Sequence, residues 1–290
     1  MSLAVGIALA FKSSLFLAAL GVGLRSRRRE ALHVLNDPLR LSASFVAMSV
    51  AAPVVALAAC LALALPPAVE LVLLALALSP LPALWPRQSL ANGDDRFAVG
   101  LLVASSLFAV AVVPFGLATV ARLLESPLQL STEPLVRTIV GLVVLPLAIG
   151  AFLRHLFPSA GAEAAEAAAL LSHVVLAAGV VAIVIGARPI MTGMLGDGTA
   201  LSMVVLALVG LLAGHLLSGR DPEDRRILAL ATASRHPGIA VAIAQLAYPD
   251  QALVPAAVAL YLLVAIFAAA PYSWLHRRTL ARDRLHVPRG

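Results

Sequence analysis

Hydrophobic positions fall into nine continuous runs of about twenty residues, at 3–24, 41–64, 67–87, 97–121, 135–157, 167–188, 198–219, 227–247 and 251–275, joined by short polar connections. At 1.5 Å per residue a helix of that length crosses the ~30 Å hydrocarbon layer of a bilayer. The runs do not alternate apolar with polar, so an outer-membrane barrel is not expected. The pattern therefore predicts an all-α polytopic membrane protein of about nine transmembrane helices. Ala160–Ala169 reads as a helical start to the sixth span, Leu124–Glu133 as an interfacial loop, and Gly219–Arg226 as a turn followed by a new helix.

Composition agrees with a lipid environment. The 290 residues are 61 % hydrophobic and 12 % charged, with a mean hydropathy of +0.98, whereas a soluble domain carries about 25 % charged residues. The net charge of +6 rests on one lysine and twenty arginines. Those arginines stand in short clusters between apolar runs, a loop pattern that does not fit nucleic-acid binding. With the N-terminus outside and the C-terminus cytoplasmic, sixteen arginines face the cytoplasm and three, Arg122, Arg137 and Arg188, face out. The positive-inside rule selects that orientation, in the inner or plasma membrane. The N-terminal run has no basic n-region or cleavage site before Arg25 and reads as a retained helix. Cys60 is the single cysteine, so neither an internal disulfide nor a cysteine metal cluster is expected.

Two spans carry residues that a simple membrane helix avoids. The third contains Ser79, Pro80, Pro82 and Pro86, three prolines within seven residues that each remove a backbone donor. The eighth contains Thr232, Ser234, Arg235, His236, Pro237 and Gly238 in an otherwise apolar run. Unwound backbone at membrane depth is tolerated where it is buried in protein or lines a wet cavity. Broken spans in both halves of a chain mark the site of many secondary transporters. The two breaks are therefore expected to cross each other near the bilayer midplane.

Arg235 costs at least about 2.5–3.5 kcal/mol to place at mid-span. Its planar fork suits a carboxylate, sulfonate or phosphate, and no Asp or Glu lies near the middle of any span, Glu70 sitting at the edge of the third. Two partners are open to it: a substrate anion, with the broken half-helix at Pro237 and Gly238 adding backbone donors, or carbonyls freed at Ser79–Trp85. His236 is a candidate for proton coupling or for a hydrogen bond to the other break. His173 and His215 read as packing residues, Lys12 as a snorkelling or helix-end lysine, and Trp85 as an interfacial anchor. No phosphate loop, His-Glu-x-x-His pair or Ser/His/Asp set is present, and Asp94-Asp95 and Asp221, Glu223 and Asp224 read as solvated clusters.

With these residues in view, the chain resembles the bile acid:sodium symporter family. The resemblance runs through Leu15–Leu24, through Pro38, Pro53 and Pro66, through Leu90–Asp94 with Ser105, Ser106 and Pro114, and through Ser234–Ala244 and Pro255–Tyr261. It implies two inverted repeats, 1–157 and 158–290, with the family's first helix missing and the two broken helices crossing. In the family's sodium-coupled members a Ser-Asn at the first crossing and a Glu and a Gln-Asn at the second supply sodium ligands. Here the Ser-Asn falls on Leu84 and Trp85, the Glu on Ala231, and the Gln-Asn on Arg235 and His236. The hydroxyl ligands that follow fall on Ala98 and Leu102, leaving Ser105 and Ser106 as the matching hydroxyls. A hard cation needs several oxygen ligands, so no metal site and no cofactor are expected.

The expectation is a secondary transporter, not an enzyme, that moves a small organic anion through the bilayer by alternating access without the family's usual sodium coupling. Its expected substrate-binding residues are Ser79, Pro80, Pro82, Ser105, Ser106, Thr232, Ser234, Arg235, His236, Pro237 and Gly238. The competing reading is a ligand-binding, sensor or assembly protein that kept the transporter fold.

Overall fold

The computed structural model describes residues 3–26, 37–79, 82, 96–123, 131–219, 221–249 and 251–286. Among these, eleven helices follow in order: α1 (Leu3–Arg25), α2 (Pro38–Ala62), α3 (Pro67–Leu78), α4 (Arg96–Leu123), α5 (Thr132–Leu156), α6 (Pro158–Gly186), the short α7 (Arg188–Gly193), α8 (Thr199–Leu217), α9 (Pro222–Ala233), α10 (Pro237–Ala247) and α11 (Leu253–His286). Seven of them are long and apolar enough to cross a membrane: α1, α2, α4, α5, α6, α8 and the first part of α11. The remaining two apolar runs are the interrupted ones. The third ends as helix at Leu78, and the eighth is split into α9 and α10.

Local chemistry sets these boundaries. Asp37 caps α2 by accepting from the backbone N–H of Arg40, and Asp221 caps α9 by accepting from those of Glu223 and Asp224, while a proline occupies the first turn of both helices. Gly219, at φ 85°, turns the chain between α8 and α9, as the polar Gly219–Arg226 connection suggested. The Ala/Glu-rich segment is indeed the start of the sixth span, since α6 runs unbroken from Pro158. Most of the Leu124–Glu133 loop lies outside the described residues, as do Pro80, Leu84, Trp85, Pro86 and Asp94-Asp95.

Hydrophobic faces sort the helices into an inner and an outer group. Nearly every residue of α3 and the first eight of α10 are buried, so both stand at the centre of the molecule. Exposed apolar side chains such as Val54, Phe115, Phe152, Val181 and Leu212 mark the outer helices and suit contact with acyl chains. The helix α1 packs against both α5 and α6. Its contact with α5 is a close crossing of two glycines: a Cβ on Gly23 would run into the Leu147 carbonyl, and one on Gly150 into the Leu20 carbonyl.

Both α2 and α5 contain one π-helical turn, at Ala47–Ala51 and Val140–Val144. A proline, Pro53 or Pro146, stands two residues after each. In π register a carbonyl bonds the N–H five residues on, as Val140 does with Leu145. For Met48 that residue is Pro53, which has no N–H to give.

Candidate functional site

The α9–α10 break covers Ser234, Arg235 and His236, all 1 % exposed or less. Breaking a helix frees carbonyls on one side and N–H groups on the other, and in a dry interior each needs a partner. Ser234 donates its N–H and its hydroxyl to Leu230 O. Ala233 O receives the Tyr261 hydroxyl of α11 at 2.7 Å, and Thr232 O receives Arg235 Nε at 3.0 Å. On the far side, Pro237 has no N–H, and Gly238 donates its own to His236 Nδ1 at 3.1 Å. His236 is thus the N-cap of α10.

The first break meets the second. Arg235 Nη1 donates to Ser79 O at 2.8 Å, Ser79 Oγ donates to His236 O at 3.4 Å, and Pro82 pairs with Arg235 in a short antiparallel bridge. The crossing expected from the two sets of helix breakers is therefore present at these residues. The third donor of Arg235, Nη2, reaches Met48 O at 2.8 Å, the carbonyl deprived of its ladder partner by Pro53. Of the two partners open to Arg235, the described bonds are with carbonyls, and only Ser79 O belongs to the stretch anticipated for that role.

His236 also faces α1. Its Nδ1 accepts the Gly238 N–H, so in the neutral ring the proton sits on Nε2, 3.5 Å from Ser14 Oγ. Ser14 is in turn paired with Ser172 of α6: each hydroxyl donates to the other residue's carbonyl, at 2.9 and 2.8 Å. A Cβ on Gly238 would stand 2.5 Å from Phe11 O and 2.6 Å from Leu15 Cβ, so only glycine lets α10 begin this close to α1.

The other residues singled out from sequence face elsewhere. Thr232 Oγ1 lies 2.6 Å from Gly210 O and 2.8 Å from Leu228 O, fastening α9 to α8. Ser105 and Ser106 donate to Leu102 O within α4, at 3.1 and 2.6 Å. His173 lies against Ala169 O on its own helix, and His215 Nδ1 is 2.9 Å from the Tyr272 hydroxyl. Tyr261, Ser14, Ser172 and Met48 were not anticipated. The three side chains are polar groups inside apolar runs, a signal that was available. Met48 takes part through its backbone, and its one trace in the sequence is the proline five residues later.

The model of the Sodium Bile acid symporter family matches residues 13–194, well over half of the chain. The match takes in the first break and ends before the second. No curated protein matches the chain. Seven helices among the described residues that are long and apolar enough to cross a membrane, two further spans that break and meet, and this match place the chain together in the Sodium Bile acid symporter family of multi-pass membrane transport proteins.

Proposed function

We propose that this protein is a secondary transporter that carries a small organic anion by alternating access around the crossing. The observation that supports this most is the contact between two broken segments 156 residues apart, at Ser79 and Arg235. A helix that is broken and pinned at one point can tilt on either side of it, which suits rocking of two repeats, 1–157 and 158–290, around a central site.

Arg235 supplies the preference for an anion. Its three described bonds go to neutral carbonyls, and no ion pair joins it to a carboxylate among the described residues. Dipoles lower the cost of its charge without neutralising it, and at an effective dielectric of 20 it attracts a unit negative charge 6 Å away by about 3 kcal/mol. Substrate recognition is then electrostatic, through a fixed cation behind the site, with no need for a direct fork on the substrate. His236 enters as the cap of α10 rather than as a proton carrier: protonating Nδ1 would remove the acceptor of the Gly238 N–H and set a second positive charge beside Arg235. Sodium coupling of the family's usual kind is not part of the proposal, because Ala231, Ala98 and Leu102 offer no side-chain oxygen. The arginine distribution supports an N-terminus outside and a C-terminus in the cytoplasm.

Purified protein in liposomes, offered a panel of small carboxylates and sulfonates, tests the reading. Saturable counterflow of at least one anion, unchanged when potassium replaces sodium, is the expected result. Counterflow that collapses without sodium would overturn the coupling, and uptake confined to neutral or cationic compounds would overturn the substrate class. The competing reading, a binding or sensor protein, draws on the dense bonding of the crossing, and anion binding without counterflow would select it.

A further inference from the structure

The crossing is closed by one permanently charged side chain set among neutral oxygens. Arg235 bonds Thr232 O at the end of α9, Ser79 O at the end of α3 and Met48 O in the π turn of α2, at 3.0, 2.8 and 2.8 Å. Two of these carbonyls are released by helix ends, and the third has its π partner replaced by proline. Three carbonyl dipoles converging in an apolar interior repel one another, and an unsatisfied carbonyl there is costly. Elsewhere such convergences are closed by metal ions held in backbone oxygens. A guanidinium supplies the same charge with directed donors in a plane.

We propose that Arg235 is a tethered cation, filling a cage of backbone carbonyls that becomes a binding site for a free organic cation of guanidinium type once the side chain is removed. The cage joins α2, α3 and α9, and the arginine does there what a bound ion would otherwise have to do. Holding the crossing closed therefore requires no dissolved cation. Because the cage fits a planar fork, the emptied site favours guanidinium over a spherical ion, and over urea, which has the shape without the charge. The inference stands on this geometry and is read without transport, so it and the carrier proposal can fail separately.

Melting of the purified protein in detergent is the test. The parent should melt at the same temperature in sodium, potassium and choline chloride. Arg235→Ala and Arg235→Met should both melt roughly 10 °C or more below it. Low millimolar guanidinium, far below denaturing concentrations, should raise the alanine variant by several degrees and leave the parent and the methionine variant, whose side chain fills the cage, where they were. Urea should rescue neither. A methionine variant as stable as the parent would overturn the proposal, as would an alanine variant deaf to guanidinium or equally helped by urea, or a parent that melts higher in sodium. Should the alanine variant fail to fold, Arg235→Lys decides: charge retained without the fork should place it between methionine and parent, and a lysine variant no better than methionine overturns the proposal.

Discussion

The π turns of α2 and α5 are the same backbone irregularity in two settings. Each precedes a proline by two residues, and each leaves a carbonyl, Met48 or Gly141, whose π-register partner is that proline. Met48 is buried, and its carbonyl takes Arg235 from a helix end 187 residues away. Gly141 is half-buried, and beyond its own turn of helix nothing stands within 4 Å of where a Cβ would be. A proline-induced defect thus carries no function by itself. What separates the two is the group that fills the vacancy, and a charged side chain drawn from a distant break is what turns one of them into part of a site.

The largest effect should come from bulk at the crowded start of α10, set against the open π turn of α5. Gly238→Val should abolish monodisperse protein in detergent, because its Cβ meets Phe11 O and Leu15, whereas Gly141→Ala should melt within a few degrees of the parent or above it. Equal tolerance at both positions would erase the difference between a glycine at the crossing and one in the open π turn. Next comes Tyr261→Phe, which leaves Ala233 O without its side-chain donor and should cost about 1–3 kcal/mol, a melting decrease of roughly 2–10 °C.

A double-mutant cycle separates the two π turns more finely. Pro53→Ala gives α2 an N–H that competes for the Met48 carbonyl, so its effect should depend on Arg235→Met by about 1 kcal/mol or more. Pro146→Ala combined with Arg235→Met should be additive within about 0.5 kcal/mol. Additivity at Pro53 would mean that the Met48 bond contributes nothing. The smallest effect is expected of Ser105→Ala, since that half-buried hydroxyl bonds only the carbonyl three residues back in α4; counterflow and melting should both stay at parental values.

Much of the fold could be read from the sequence because span length and hydropathy are properties of side chains. All nine apolar runs reappear, seven as continuous helices and two interrupted, although boundaries move: α6 begins nine residues before the expected 167, and α9 five before 227. The second break was legible from Arg235, His236, Pro237 and Gly238, since an ionised group beside a Pro-Gly pair cannot sit inside a regular apolar helix. Of Arg235's three acceptors only Ser79 O lies in the stretch that the sequence offered. Carbonyls have no residue identity, so nothing in Met48 or Thr232 announces an acceptor, and hydropathy does not distinguish a π turn from an α turn. Ser14 and Ser172 escaped for a related reason: each is a small hydroxyl in an otherwise apolar run, and their pairing across 158 residues exists only after α1 packs on α6. Thr232 had the right residue type in the right break, and helical phase turned its hydroxyl toward α8.

The order of the three carbonyls along the chain bears on how the protein is made. Met48, Ser79 and Thr232 all precede Arg235, by 187, 156 and 3 residues. Synthesis runs from the N-terminus, so when the eighth span leaves the ribosome α2 and α3 have already been delivered to the membrane. The arginine then enters a bilayer that holds its acceptors, and the insertion penalty of a lone charge at mid-span is offset at once by three oxygens. A circular permutant in which α9 and α10 are made before α2 would present the same charge with two of those oxygens still untranslated, and would place its hardest insertion step first.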